Sequence, residues 1–143
     1  MDTTTTPTGT DTIERELRIE APPEVVFDFW TDPARLTTWM GRDVQFDARP
    51  GGVVRIDYNG EDVMLGSVVS VERPRHLVFT WGWQKAGDAT PPGASTVEVT
   101  IEPDGTGSLL RLRHSGLVPE AIAGHTEGWD YFLGRLVEAS KAG

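Results

Sequence analysis

The sequence contains no cysteine. That removes disulfide frameworks, thiol nucleophiles and cysteine-ligated zinc, and it fits a cytoplasmic location. Basic residues are scarce as well: 13 Lys and Arg stand against 22 Asp and Glu, a formal charge of −9. A surface of that sign repels phosphate backbones, so nucleic-acid binding by charge is excluded. No stretch approaches the ~20 apolar residues of a membrane-crossing helix. Three histidines occur without any HxH, HxxxH or HxxE spacing, so neither a metal site nor a cofactor is expected. G-x-S-x-G is missing too, which removes the nucleophile elbow of acyl-transfer hydrolases.

What is present has a clear order. Residues 1–12 are threonine-rich, with neither basic residues nor an apolar core, and read as a disordered tail ahead of one domain over 13–143. Over 13–20, Leu17 and Ile19 alternate with Arg18 and Glu20, the period of a half-buried strand. Ala21-Pro22-Pro23-Glu24 then opens a helix carrying Val26, Phe29 and Trp30. Thr31-Asp32-Pro33 starts a second one carrying Leu36, Trp39 and Met40.

Beyond Gly41 the period returns to two, through Val44/Phe46/Ala48, the turn Arg49-Pro50-Gly51-Gly52 and Val54/Ile56/Tyr58. Asn59-Gly60 signals a tight hairpin into a strand over 63–71. Residues 76–84 place Leu77, Phe79, Trp81 and Trp83 on one face. A loop over 85–95 then leads to a hairpin of Val97/Val99/Ile101 and Leu110/Leu112/His114. Glu98 and Glu102 on one of its strands, with Arg111 and Arg113 on the other, have the types for cross-strand pairs. One long helix, 119–139, closes the chain. One strand, two short helices, six strands and a long helix predict an α+β fold, a curved antiparallel sheet of about seven strands around the carboxy-terminal helix.

Four stretches in this order carry a resemblance: residues 21–27 running into 31–36 and Trp39; Asp47-Ala48-Arg49-Pro50-Gly51-Gly52; Pro74-Arg75-His76-Leu77-Val78-Phe79-Thr80-Trp81; and His114-Ser115-Gly116-Leu117 with the later Gly128-Trp129. Together they resemble the START-like, helix-grip superfamily known as SRPBCC, and within it the AHSA-type subfamily named for the activator of the heat-shock-protein ATPase. The resemblance implies a deep apolar cavity between the sheet and the long helix, used across the superfamily for lipids, polyketides and other hydrophobic molecules. A shared fold does not by itself fix a shared activity.

The residues expected to face that cavity are Trp30, Trp39, Met40, Tyr58, Phe79, Trp81 and Trp83 from the first half. Leu110, Leu112 and His114 join them from the hairpin, and His125, Trp129, Phe132 and Leu136 from the helix. Aromatic walls with a few polar groups suit an apolar ligand, although the same stripe also describes a core closed on itself. Three functions follow. The first is a carrier or sensor for a hydrophobic, aromatic or polycyclic molecule. The second is a cyclase-, aromatase- or hydrolase-like enzyme in the same cavity, with His114, His125 and Tyr58 as the proton-transfer candidates. The third is a chaperone-associated or stress-response protein, discounted because the eukaryotic activators place much of that activity in a separate amino-terminal domain. Residues 63–71 or the 95–114 hairpin offer sheet surface to a second copy, so a homodimer is also carried as an expectation. Asp57, Glu61 and Asp62 read as solvated turn residues rather than an acid–base pair, and the 85–95 loop as a lid near the mouth.

Overall fold

Alternation along the strands decides which sheet face is buried. In the computed structural model, which describes residues 11–142, seven strands form one antiparallel sheet in the order β1-β7-β6-β5-β4-β3-β2. They are β1 Ile13–Ile19, β2 Asp43–Phe46, β3 Val53–Asp57, β4 Val63–Glu72, β5 His76–Trp81, β6 Ser95–Asp104 and β7 Gly107–Ser115. Two short helices, α1 Pro23–Thr31 and α2 Pro33–Leu36, follow β1, and a long one, α3 Pro119–Ala142, ends the chain. This is the α+β helix-grip arrangement that the element order implied. The expected tail lies outside the described residues, apart from Asp11 and Thr12 at its end; the Asp11 carbonyl accepts the Leu117 N–H at 3.1 Å.

Register stacks the inward side chains in rows. Val97 of β6 sits opposite Phe79 on one side and His114 on the other, and Val99 opposite Leu77 and Leu112. All six are buried. Helix α1 starts on Pro23, where the missing N–H costs no intrahelical bond, and it buries Val26, Phe27, Phe29 and Trp30. Asp32 accepts the Ala34 N–H at 3.1 Å and so caps α2. The Trp39 indole donates to the Phe29 carbonyl at 2.8 Å, and Arg135 of α3 donates to the Trp39 carbonyl at 3.1 Å. These two bonds tie both short helices to the long one.

On the outer face, Arg111 bonds Glu16 at 2.7 Å and Glu102 at 3.3 Å. Glu98 stands opposite Arg113 in register yet is taken by His76, at 2.7 Å. Exposed pairs of this kind contribute less than about 1 kcal/mol each. No helix among the described residues is long and apolar enough to cross a membrane.

Two backbone approaches shape the sheet. The run expected to continue to Gln84 parts from β6 after Trp81, where Gly82 lies so close to Pro91 that a Cβ there would fall 1.9 Å from its carbonyl oxygen. It stays beside β4, with the Leu65 N–H donating to the Gly82 carbonyl at 2.9 Å and the Gln84 N–H to the Val63 carbonyl at 2.8 Å. Trp83 bridges Met64 between those two bonds. Gly66 of β4 is crowded in the same way by the Thr80 carbonyl, at 1.9 Å, next to the register shift between Val68 and Ser70. A methyl group there must displace backbone. Gly66→Ala is therefore expected to lower stability by about 3 kcal/mol, the upper end for overpacking, in urea unfolding; a change below about 0.5 kcal/mol would contradict the crowding.

Candidate functional site

The concave face is only partly filled. Between its β3–β4 end and the first half of α3 lies a cavity of about 580 Å³. Tyr58, Trp81 and Trp83 line it from the sheet, and His125, Trp129 and Phe132 from the helix. The 85–95 loop contributes Lys85, Asp88, Ala89 and Thr90.

Local sequence explains the placement of each wall. Tyr58 precedes a turn in which the Asp57 carboxylate accepts the N–H groups of Asn59 and Gly60, at 3.1 and 2.6 Å. The Asn59 side chain accepts those of Glu61 and Asp62, and Gly60 takes the φ of +90° that the turn needs. The acidic cluster is thus turn architecture. The Tyr58 ring packs 5.5 Å from that of Trp83 and 5.3 Å from that of Phe132, and burial raises its hydroxyl above the ordinary phenol range. The loop is pinned by the Trp83 N–H donating to the Thr90 carbonyl at 2.7 Å and by Asp88 accepting the Thr90 N–H at 2.8 Å.

Two tryptophans hold two histidines, His125 at the cavity wall and His114 behind it. The Trp129 indole N–H can only donate, and it meets His114 Nδ1 at 2.9 Å. His114 therefore carries its proton on Nε2, which donates to Ser95 Oγ at 2.8 Å, and Ser95 donates to the Trp81 carbonyl at 2.8 Å. His125 is fixed the other way round. It accepts the Trp83 indole on Nε2 at 2.9 Å and donates from Nδ1 to the Ala121 carbonyl at 2.8 Å. The two imidazoles lie 5.3 Å apart, edge to face. Burial first, and then repulsion from His125, pushes the His114 pKa down to about 3.

Of the fourteen residues expected to meet a ligand, Met40, Tyr58, Trp81, Trp83, His125, Trp129 and Phe132 line the cavity. The other seven do not. Trp30, Trp39, Phe79, Leu110, Leu112 and Leu136 are closed into the core, and His114 is fully buried behind Trp81 and Trp129. Packing explains the difference: Trp30 meets Trp39 at 4.8 Å and Trp129 at 6.0 Å, so the aromatics fill the depth themselves. Of the three proton-transfer candidates, His125 and Tyr58 reach the cavity. Among the described residues no group of three His, Asp or Glu side chains could hold a metal ion.

Sequence reading missed the small residues. Ala121, Gly124 and Gly128 line the cavity on the same helical stripe as His125 and Trp129, but they leave no apolar signal there. Each glycine costs the helix roughly 0.5–1 kcal/mol relative to alanine. Thr90 was not expected at the cavity, and the missing partners of Trp81 and Thr90 leave no mark in the sequence either. Among the described residues three buried side-chain polar atoms have no partner, and Trp81 Nε1 and Thr90 Oγ1 are two of them.

The family profile described as Activator of Hsp90 ATPase homolog 1-like protein matches residues 20–141. The chain belongs to that family. Among curated proteins none matches. Among solved structures, protein MLL2253 from Mesorhizobium loti is similar at 28% identity, covering 92% of this chain and 97% of its own, with a TM-score of 0.83. DynU16, a protein in the dynemicin biosynthetic locus, is 25% identical over 90% of this chain and 46% of its own, with a TM-score of 0.77. The Aha1 dimer from Colwellia psychrerythraea shares the fold at 18% identity, 90% and 94% coverage and a TM-score of 0.76.

A histidine held neutral in the fold gives a pH signature. With a folded pKa near 3 and an unfolded value near 6.5, the unfolded chain binds the extra proton between those limits, so stability falls as pH drops through that window. The loss from this group is about 1.4 kcal/mol per pH unit within the window. Urea unfolding of wild type and His114→Gln at pH 7, 6, 5 and 4 should show the variant less stable at pH 7 but with a slope shallower by nearly one proton. Equal slopes would mean that His114 titrates normally.

Proposed function

We propose that the protein binds a hydrophobic, partly aromatic small molecule in this cavity, as a carrier or sensor. The observation that carries the reading is the division of the aromatics: the deep ones are packed, while Tyr58, Trp83 and Phe132 border open space of about 580 Å³. That volume falls within the range of small-molecule sites, and an apolar wall with few polar groups is their usual lining. Membership of a family whose fold neighbours include DynU16 agrees with it.

Catalysis by the histidines is less well supported. Each has its acceptor nitrogen taken by an indole N–H, so receiving a proton from a substrate would first break a 2.9 Å bond.

The test is a thermal-shift screen of refolded, ligand-free protein against apolar aromatics and lipids. A ligand at 100 times its Kd adds about 2.7 kcal/mol, which should raise Tm by roughly 5–10 °C in a chain of this size. Trp83→Leu should lose most of that shift. A panel with no shift at any concentration would remove the binding reading.

A further inference from the structure

Two indole–imidazole bonds tie the sheet to the long helix, and their surroundings differ. Trp129 and His114 are both buried. Trp83 and His125 are half-buried, and both line the cavity. The outer bond runs in one direction only. An indole N–H has no lone pair to offer, so His125 Nε2 must present its own, and it cannot carry a proton while the 2.9 Å contact lasts. Nδ1 already holds the one proton of the neutral ring and donates it to the Ala121 carbonyl at 2.8 Å. A second proton would set two donors face to face at Trp83, yet it would leave the Ala121 bond in place. The contact to the sheet therefore requires a neutral imidazole, whereas the contact to the helix does not.

The groups that face His125 come from every element around it. From β7 comes His114, 5.3 Å away between ring centres. Burial and then repulsion from His125 hold its pKa down to about 3, so it stays neutral in mild acid. Trp81 and Trp83, from β5 and its extension, carry no charge. Tyr58 stays a neutral phenol because burial raises its hydroxyl. Asp62 from the hairpin turn, Lys85 and Asp88 from the 85–95 loop and Glu120 from the helix complete the charged lining of the cavity. Carboxylates there outnumber the lysine, so an added positive charge meets an excess of negative ones.

We propose that the Trp83–His125 bond is an acid-released clasp: with His125 neutral it holds the sheet to the helix at the cavity, and protonation of Nε2 frees the Trp83 ring and lets a bound molecule go. The Trp129–His114 bond keeps the helix docked through the same change, so the opening is local. The backbone of Trp83 stays in place as well, since its N–H donates to the Thr90 carbonyl at 2.7 Å and the residue bridges Met64. Only the indole ring is released. An ordinary imidazole changes charge between about pH 5 and 8, a range in which most carboxylates and lysines keep theirs. Release of a ligand rests on the binding reading above, but the clasp itself does not.

The experiment has two arms. In the first, the indole N–H signals of ligand-free, 15N-labelled protein are followed by NMR from pH 8 to 5.5, with Trp83→Phe identifying the Trp83 signal. That signal should move upfield together with the ring protons of His125, while the Trp129 signal stays still. In His125→Gln, whose amide oxygen can accept the indole but does not titrate, the Trp83 signal should stay constant. His76→Gln, on the outer sheet face, should titrate as wild type does. The clasp is overturned by a Trp83 signal that stays still while His125 titrates, by a His125 that takes no proton down to pH 5.5, or by the same titration in His125→Gln. In the second arm, N-phenyl-1-naphthylamine serves as an uncharged fluorescent probe. Wild type should bind it about fivefold more weakly at pH 5.5 than at pH 8, the worth of one hydrogen bond. The ratio between the two pH values should be close to one in His125→Gln and in Trp83→Phe, the second of which decides if the first fails to fold. A moving Trp83 signal with unchanged probe affinity would overturn release. Wild type that takes neither this probe nor any member of the wider screen would remove the binding reading, and the first arm would still decide the clasp.

Discussion

A relay of three hydrogen bonds fastens the long helix to the concave sheet: Trp129 to His114, His114 to Ser95, Ser95 to the Trp81 carbonyl. Each link fixes the next. An indole can only donate, so the imidazole must accept on one nitrogen and donate from the other, and the serine must pass the bond to a backbone oxygen. Every member is satisfied without water, which makes a buried polar chain tolerable. Since Trp81 is the last residue of β5 and Trp129 sits in the first half of α3, the relay sets the distance between the two walls there. The Trp83–His125–Ala121 chain repeats the device one step nearer the opening.

Between these two fastenings the aromatics take different parts. Trp30, Trp39 and Trp129 meet over the amino-terminal helices and leave no room among themselves. Tyr58, Trp83 and Phe132 are spaced by a hairpin turn, a bridge to Met64 and a helical step, and they border the open space while touching across it only at Tyr58–Phe132 and Trp83–His125. Fold family alone does not decide this. A curved sheet with one helix always leaves a concavity, and residue size determines how much of it stays open.

The element order was legible because each period was long and each boundary was marked. Pro22-Pro23, Asp32-Pro33 and Asn59-Gly60 act through local backbone chemistry, and the structure places an element boundary or a turn at each. Gly82 was the exception. Its role depends on Pro91, nine residues away, and no local pattern reveals such an approach. At the candidate site, alternation correctly turned the aromatics inward but gave no depth, so Phe79 and Trp81 read alike although the first is core and the second borders the cavity. The tethering of both histidines was hidden for the same reason, because it joins residues 15 and 42 positions apart. Ala121, Gly124 and Gly128 were silent because an absent side chain leaves no hydrophobic mark.

Held rings and small residues together shape this cavity. On the sheet side the rings are held by indole–imidazole bonds and mutual packing, so their shape is set before any ligand arrives. Binding then avoids the entropy of ordering those side chains, about 0.5–1.5 kcal/mol for each rotamer-rich group. On the helix side, Ala121, Gly124 and Gly128 add surface with no rotamers to freeze beside His125, Trp129 and Phe132. Both walls are preorganised by bulky residues locked in place, and the helix adds residues with almost nothing to lock. A site built in this way discriminates by the shape of its ligand more than by charge, which agrees with a lining that offers aromatic faces and only a few polar groups.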